Sequence, residues 1–169
     1  MKKLAVLIAV FAVFQVAAVQ AQDDKKPLSP KETVTGKAGG ANVEIVYSRP
    51  SSRGRKMIGG NEPFGQVWRT GANEATTIEF DKAVKVEGKQ LPAGKYALFT
   101  IPGEKEWTII FNKEHKQWGA YNYKQSEDAL RVTVPAKKPD NFVETFTISV
   151  DNNEVALAWE NSKASFKVQ

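Results

Sequence analysis

Three observations predict an all-β protein: short runs of strict apolar–polar alternation, turn residues set between those runs, and no sustained 3.6-residue period. Runs of this length and spacing fit an antiparallel β-sandwich or flattened barrel of about eight or nine strands. One long irregular loop interrupts the rhythm.

The chain opens on Met1-Lys2-Lys3, an uncharged run from Leu4 to Val19, and Val19-Gln20-Ala21 ahead of the polar Gln22-Asp23-Asp24. A charged start, an apolar middle and small residues before a polar stretch form the pattern of a secretory signal peptide, cut after Ala21. A membrane span needs about 20 apolar residues, more than this run supplies. Gln22 to Pro30 is polar and charged and contains proline, which reads as a flexible tether. The expected organisation is a signal peptide over 1–21, a tether over 22–30 and a single β-sandwich domain over 31–169. The expected localisation is periplasmic or secreted, with no membrane span after cleavage.

The strands follow in order. An opening strand, Glu32 to Lys37, leads through Gly39-Gly40 to a second in which Val43, Ile45 and Tyr47 face one way and Asn42, Glu44 and Ser48 the other. The same alternation recurs in Thr76/Ile78/Phe80, Val84/Val86, Trp107/Ile109/Phe111, Leu130/Val132/Val134, Phe146/Ile148/Val150, Val155/Leu157/Trp159 and Ala164/Phe166/Val168. Each describes a strand with one wet face. Tyr96 to Ile101 is apolar on both faces and predicts a central strand covered on both sides. Glu87-Gly88-Lys89, Leu91-Pro92-Ala93-Gly94, Pro102-Gly103 and Asp151-Asn152-Asn153 supply the turns.

Composition narrows the function classes. The chain has no cysteine, which removes disulfides, thiolate metal sites, cysteine nucleophiles and lipid attachment at the cleavage site. The roughly 148 residues left after cleavage suffice for one ordinary core. Loss of Lys2 and Lys3 with the leader lowers the formal charge from +5 to about +3, a mildly basic surface without the footprint of a nucleic-acid binder. His115, the single histidine, sits in the charged run Lys113-Glu114-His115-Lys116 and reads as surface. No metal-ligand spacing and no Gly-x-Ser-x-Gly elbow is present, so no metal, no cofactor and no serine triad is expected.

Two stretches lack alternation. Ser48 to Ala75 carries five glycines, two prolines and Arg49, Arg53, Arg55 and Arg69. Structureless loops longer than about 12–15 residues are uncommon in compact domains, and those that occur are often functional. Arginine suits bidentate gripping of carboxylate, phosphate or sulfate, and glycine lets the backbone approach a ligand closely. The competing reading makes Arg49 and Arg69 staples that pin the loop to Glu62, Glu74 or backbone carbonyls. Trp68 precedes Thr70-Gly71-Ala72-Asn73-Glu74 and reads as a plug sealing one end of the sandwich, which leaves Asn73 and Glu74 as the better site candidates. In the second stretch, Asn112 to Ala129, Trp118, Tyr121 and Tyr123 could join Trp68 in a sugar-stacking platform. Alternation sets the two tyrosines on one face of a short strand, where packing explains them equally well.

Tyr47-Ser48-Arg49-Pro50, Arg53-Gly54-Arg55, the run from Pro63 to Thr76 containing Trp68-Arg69-Thr70-Gly71-Ala72-Asn73, and Leu91-Pro92-Ala93-Gly94-Lys95-Tyr96 together resemble the bacterial DUF2911 family, a domain of unknown function. The resemblance spans about Ser29 to Val168. It implies an exported β domain and supplies no catalytic residues.

The leading functional expectation is a non-enzymatic periplasmic binding or accessory protein. Arg49, Arg55 and Arg69 would grip an anionic group of an envelope glycan, a peptide or an envelope protein, with Trp68, Asn73 and Glu74 beside them. One alternative is a carbohydrate-active hydrolase with Glu74 as one of two carboxylates about 5–10 Å apart. The other is a structural envelope protein whose loop packs down with no cavity beneath it.

Overall fold

The computed structural model describes residues 27–169; the expected signal peptide and most of the tether lie outside the described residues. The fold is an all-β sandwich of antiparallel strands: β1 (Lys31–Ala38), β2 (Ala41–Ser48), β3 (Thr77–Phe80), β4 (Val84–Val86), β5 (Lys89–Leu91), β6 (Gly94–Ile101), β7 (Glu106–Asn112), β8 (Asp128–Pro135), β9 (Val143–Asp151), β10 (Glu154–Glu160) and β11 (Ser162–Lys167). Eleven strands replace the eight or nine expected. The difference lies in short pieces such as β5, too brief to alternate visibly but paired with β4 across Glu87-Gly88. A 3-10 turn, Gln125–Glu127, precedes β8.

One sheet runs β1-β2-β3-β6-β7-β8, a second β11-β10-β9, and β4-β5 form a separate ribbon. Alternation fixes which side chains meet between them. Val43 pairs with Phe80 and Ile45 with Ile78 in the larger sheet, and Val155 pairs with Val150 and Phe166 in the smaller. These residues fill one core with Trp107, Phe111, Phe146, Leu157 and Trp159. A one-residue slip in any of these ladders would turn its apolar set to water, so burial of one face specifies the register. The turn residues adopt the geometry their types favour: Gly39 and Gly40 are at φ 59° and 74°, and Asn152 and Asn153 at φ 46° and 63°, as two-residue hairpins require.

Strand β6 is covered on both sides, as its sequence predicts. Leu98 faces the main core, while Ala97 and Phe99 join Ala75 and Ile110 in a second apolar cluster on the outer face of the sheet. Val67, Ala120 and Tyr123 pack against that cluster, so the two irregular stretches supply its cover. The stretch from Ser48 to Ala75 is held by backbone pairing with both sheets. Trp68 exchanges hydrogen bonds with Thr100 on β6 at 2.7 and 3.0 Å, while Ser52 and Pro50 bond Glu144 and Phe146 on β9 at 2.9 Å each.

Two local expectations are corrected. Tyr121 and Tyr123 lie on turns rather than a strand: Gly119, at φ 66°, reverses the chain, and the Tyr123 N–H bonds back to the Ala120 carbonyl. The end of the expected tether is also anchored, because Pro30 accepts the Arg49 N–H at 2.9 Å and Leu28 accepts Arg53 Nη2 at 3.0 Å.

Candidate functional site

A hollow of about 630 Å3 opens beside the irregular segment. Its wall is built from a tight turn: Arg55 N–H bonds the Ser52 carbonyl at 3.0 Å, with Arg53 at φ 49° and Gly54 at φ 73° between them. The turn is fastened to β9 through Glu144, whose carboxylate accepts the Ser52 hydroxyl at 2.6 Å and the Arg53 N–H at 2.7 Å. Those bonds hold the Glu144 carboxyl below the usual carboxylate range. The two arginines that bracket this turn both line the hollow.

The lining also includes Glu62, Arg69, Gly71 and Ala72, with Met57 and Trp159 as apolar members. Met57 and Ile58 are pinned by Glu160, a buried carboxylate that accepts both backbone N–H groups at 2.9–3.0 Å. Gly71 is a position only glycine fits comfortably. At φ 154° a Cβ would stand 2.9 Å from the Ser48 carbonyl oxygen.

The arginines fall into three conditions. Arg49 is saturated: Nη1 donates to Glu32 at 2.6 Å, Nε to the Phe146 carbonyl at 3.1 Å and Nη2 to Thr147 at 2.9 Å. It lies outside the hollow and staples β2 to β1 and β9. Arg53 and Arg55 are each partly anchored to carbonyls, Arg55 through Nε to Ser52 and Nη2 to Ser51 at 3.0 Å, with further N–H groups in hand. Arg69 is half-buried and its guanidinium makes no hydrogen bond or ion pair with any described residue; its Nε is buried without an acceptor. The charge of Arg69 acts on half-buried Glu62 without bonding it. Burial pushes the Glu62 carboxyl up, and Arg69 partly offsets that.

The remaining candidates separate. Trp68 is 3% exposed and belongs to the core: it stacks on Trp159 at 5.7 Å, meets Phe146 edge-on at 5.0 Å, and donates Nε1 to the Gly71 carbonyl at 3.1 Å. It plugs the sandwich and cannot join a surface platform. Tyr123 is also withdrawn, packed on Phe99 and donating to Asp128 at 2.6 Å; burial raises its phenol. Tyr121 stays in solvent at 82% exposure. The four rings therefore do not assemble into a platform. Asn73, at φ 62°, reaches the Ser48 hydroxyl only at 3.4 Å.

Glu74 belongs to a second hollow of about 360 Å3, with Trp118, His115, Gln117 and Lys31. Its carboxylate stands 3.8 Å from Lys31 Nζ. It is the sole carboxylate lining that hollow, so a two-carboxylate hydrolytic centre has no geometric support there. His115, read from the sequence as surface, is half-buried in its wall. The residues that sequence reasoning underweighted are thus Arg53 and Glu62 in the first hollow and His115 and Lys31 in the second. The Arg-Gly-Arg spacing across a glycine turn was the available signal for Arg53; nothing in one dimension links Lys31 to Glu74.

The sequence model of a family described as a protein of unknown function, DUF2911, matches residues 29–168. The chain belongs to this family. The match takes in the full set of strands, the second hollow and every lining residue of the first except Leu28, so the features above lie within the DUF2911 domain. No curated protein and no solved structure matches the chain.

Proposed function

We propose that this DUF2911 domain is an exported, non-enzymatic binding protein whose arginine-lined hollow receives an anionic group of an envelope glycan, a peptide terminus or a partner protein. The gripping set is Arg53, Arg55 and Arg69, in place of the Arg49, Arg55 and Arg69 suggested by the sequence. Export is supported by the leader pattern of residues 1–21.

The observation that carries the reading is the state of Arg69. The Nε–H of this half-buried guanidinium is buried without an acceptor, a condition that costs free energy unless an incoming group supplies one, and Glu62 offsets its charge without bonding it. Arg53 and Arg55 line the same hollow with spare donors, so an entering carboxylate, phosphate or sulfate would find more than one guanidinium there. A cavity under the segment also favours binding over a purely structural role.

Calorimetric titration of the purified protein with sulfate, glucuronate and a short peptide with a free C-terminal carboxylate tests the proposal. Saturable binding by at least one, weakened at least tenfold in Arg69→Gln and Arg55→Gln variants whose thermal unfolding is unchanged, is the expected result. Variants that bind as the parent does, or that lose binding only because they unfold, would make the arginines staples.

A further inference from the structure

We infer that the second hollow is a separate site for a neutral oligosaccharide, with Trp118 as its stacking surface. Three of the four tryptophans, Trp68, Trp107 and Trp159, are 1–3% exposed, whereas Trp118 is 61% exposed. A large apolar ring left in water gains free energy when a flat apolar surface covers it, at roughly 25 cal/mol per Å2.

The ring sits on a fixed frame. The Trp118 backbone bridges Glu74, the Ala75 N–H bonds the Gln117 carbonyl at 2.9 Å, and the Gly119 N–H bonds the Asn73 carbonyl at 3.1 Å. Gln117 itself is buried and donates Nε2 to the Glu114 carbonyl at 2.6 Å. The backbone that carries Trp118 is therefore ordered before any ligand arrives.

The polar groups around the ring select the ligand class. Glu74 and Lys31 lie 3.8 Å apart and are both more than half exposed, so each keeps hydrogen-bonding capacity toward the hollow while their charges offset one another; Lys116 is the one further charged side chain of the lining. A cation would meet Lys31 and Lys116, and an anion would meet Glu74. A sugar ring offers an apolar face of C–H bonds for Trp118 and a rim of hydroxyls that both donate to Glu74 and accept from Lys31. At about 360 Å3 the hollow is at the lower end of the roughly 300–1,000 Å3 range of small-molecule sites, a size for a short stretch of sugar units. This site does not depend on the arginine hollow.

Because Trp118 is the one exposed tryptophan, its emission reports on the site. Cellotriose, maltotriose and chitotriose are titrated separately into the purified protein. Expected is a saturable change in tryptophan emission with at least one of them, absent in Trp118→Ala, retained with weaker affinity in Trp118→Phe, reduced at least fivefold in Glu74→Ala, and unaltered in Arg69→Gln. Circular dichroism and thermal unfolding of Trp118→Ala should match the parent, since the ring is exposed. The inference is overturned if none of the three sugars changes the emission up to its solubility limit, or if the sugar binds Trp118→Ala as tightly as the parent by calorimetry. A response abolished by Arg69→Gln would also overturn it, by placing the ligand in the other hollow.

Discussion

Arg49 and Glu32 form a 2.6 Å ion pair, Nη1 to Oε2, that ties the start of the long irregular segment to the first strand. Together with the bonds from Arg49 to Phe146 and Thr147, it makes this arginine a junction between the two sheets. Arg69 belongs to the same segment and has no such partner among the described residues. The two guanidinia therefore differ in kind: one is bonded into the fold, and the other makes no bond to any described residue.

Arg49→Ala should accordingly destabilise the protein by about 2 kcal/mol, the scale of losing charge-assisted hydrogen bonds at a partly buried site. Chemical denaturation measures this. Anion affinity measured well below the unfolding transition should stay within about twofold of the parent.

Trp68→Ala should cost about 3–5 kcal/mol, because it removes a buried indole that three other rings contact and leaves a cavity the β6 ladder cannot close. The slope of the denaturation curve should be unchanged, marking loss of stability without loss of the native fold.

The alternation that names the core residues in one dimension did so because each strand has one face on the core and one in water. Val43, Ile45, Tyr47, Phe146, Ile148, Leu157 and Phe166 all lie buried where that pattern places them. Trp68 was legible as a plug for a simpler reason, since a tryptophan among small residues has few places to go but inward. Membership of the hollow was not legible. Arg49 and Arg69 read alike along the chain, and what separates them is the closeness of Glu32 on β1 and Phe146 on β9, set by how the sheets meet. Glu62 and Glu74 likewise read as interchangeable acids, yet they line different hollows.

Glu160→Gln should lower stability by about 1.5–3 kcal/mol, since a buried carboxylate that accepts the Met57 and Ile58 N–H groups through both oxygens would be replaced by an amide with one acceptor. Because Met57 forms part of the arginine hollow, anion affinity should fall as well, by roughly threefold to tenfold. Thermal unfolding and calorimetry on the same sample read both effects.

If the arginine hollow takes an anion as proposed, Glu62 should make that binding pH-dependent. Burial raises its folded-state pKa, so the folded protein keeps this proton to higher pH than the unfolded chain does. The stabilising contribution of protonated Glu62 is present below the ordinary glutamate value and is lost as pH rises through the raised one. In the same window a negative charge appears beside Arg69, so sulfate, whose own charge is constant there, should bind more weakly as pH rises. Glu62→Gln should flatten this dependence and tighten sulfate binding at neutral pH by roughly threefold to tenfold. A sulfate affinity that is flat with pH in the parent would refute the coupling.

The most direct test follows the arginine Nε–H resonances by NMR during a sulfate titration. The Arg69 signal should shift saturably with sulfate, while the Arg49 signal, held by Phe146 and Glu32, stays in place. An Arg69 signal that does not move, or an Arg49 signal that moves with it, would contradict the assignment of the arginine hollow as an anion site.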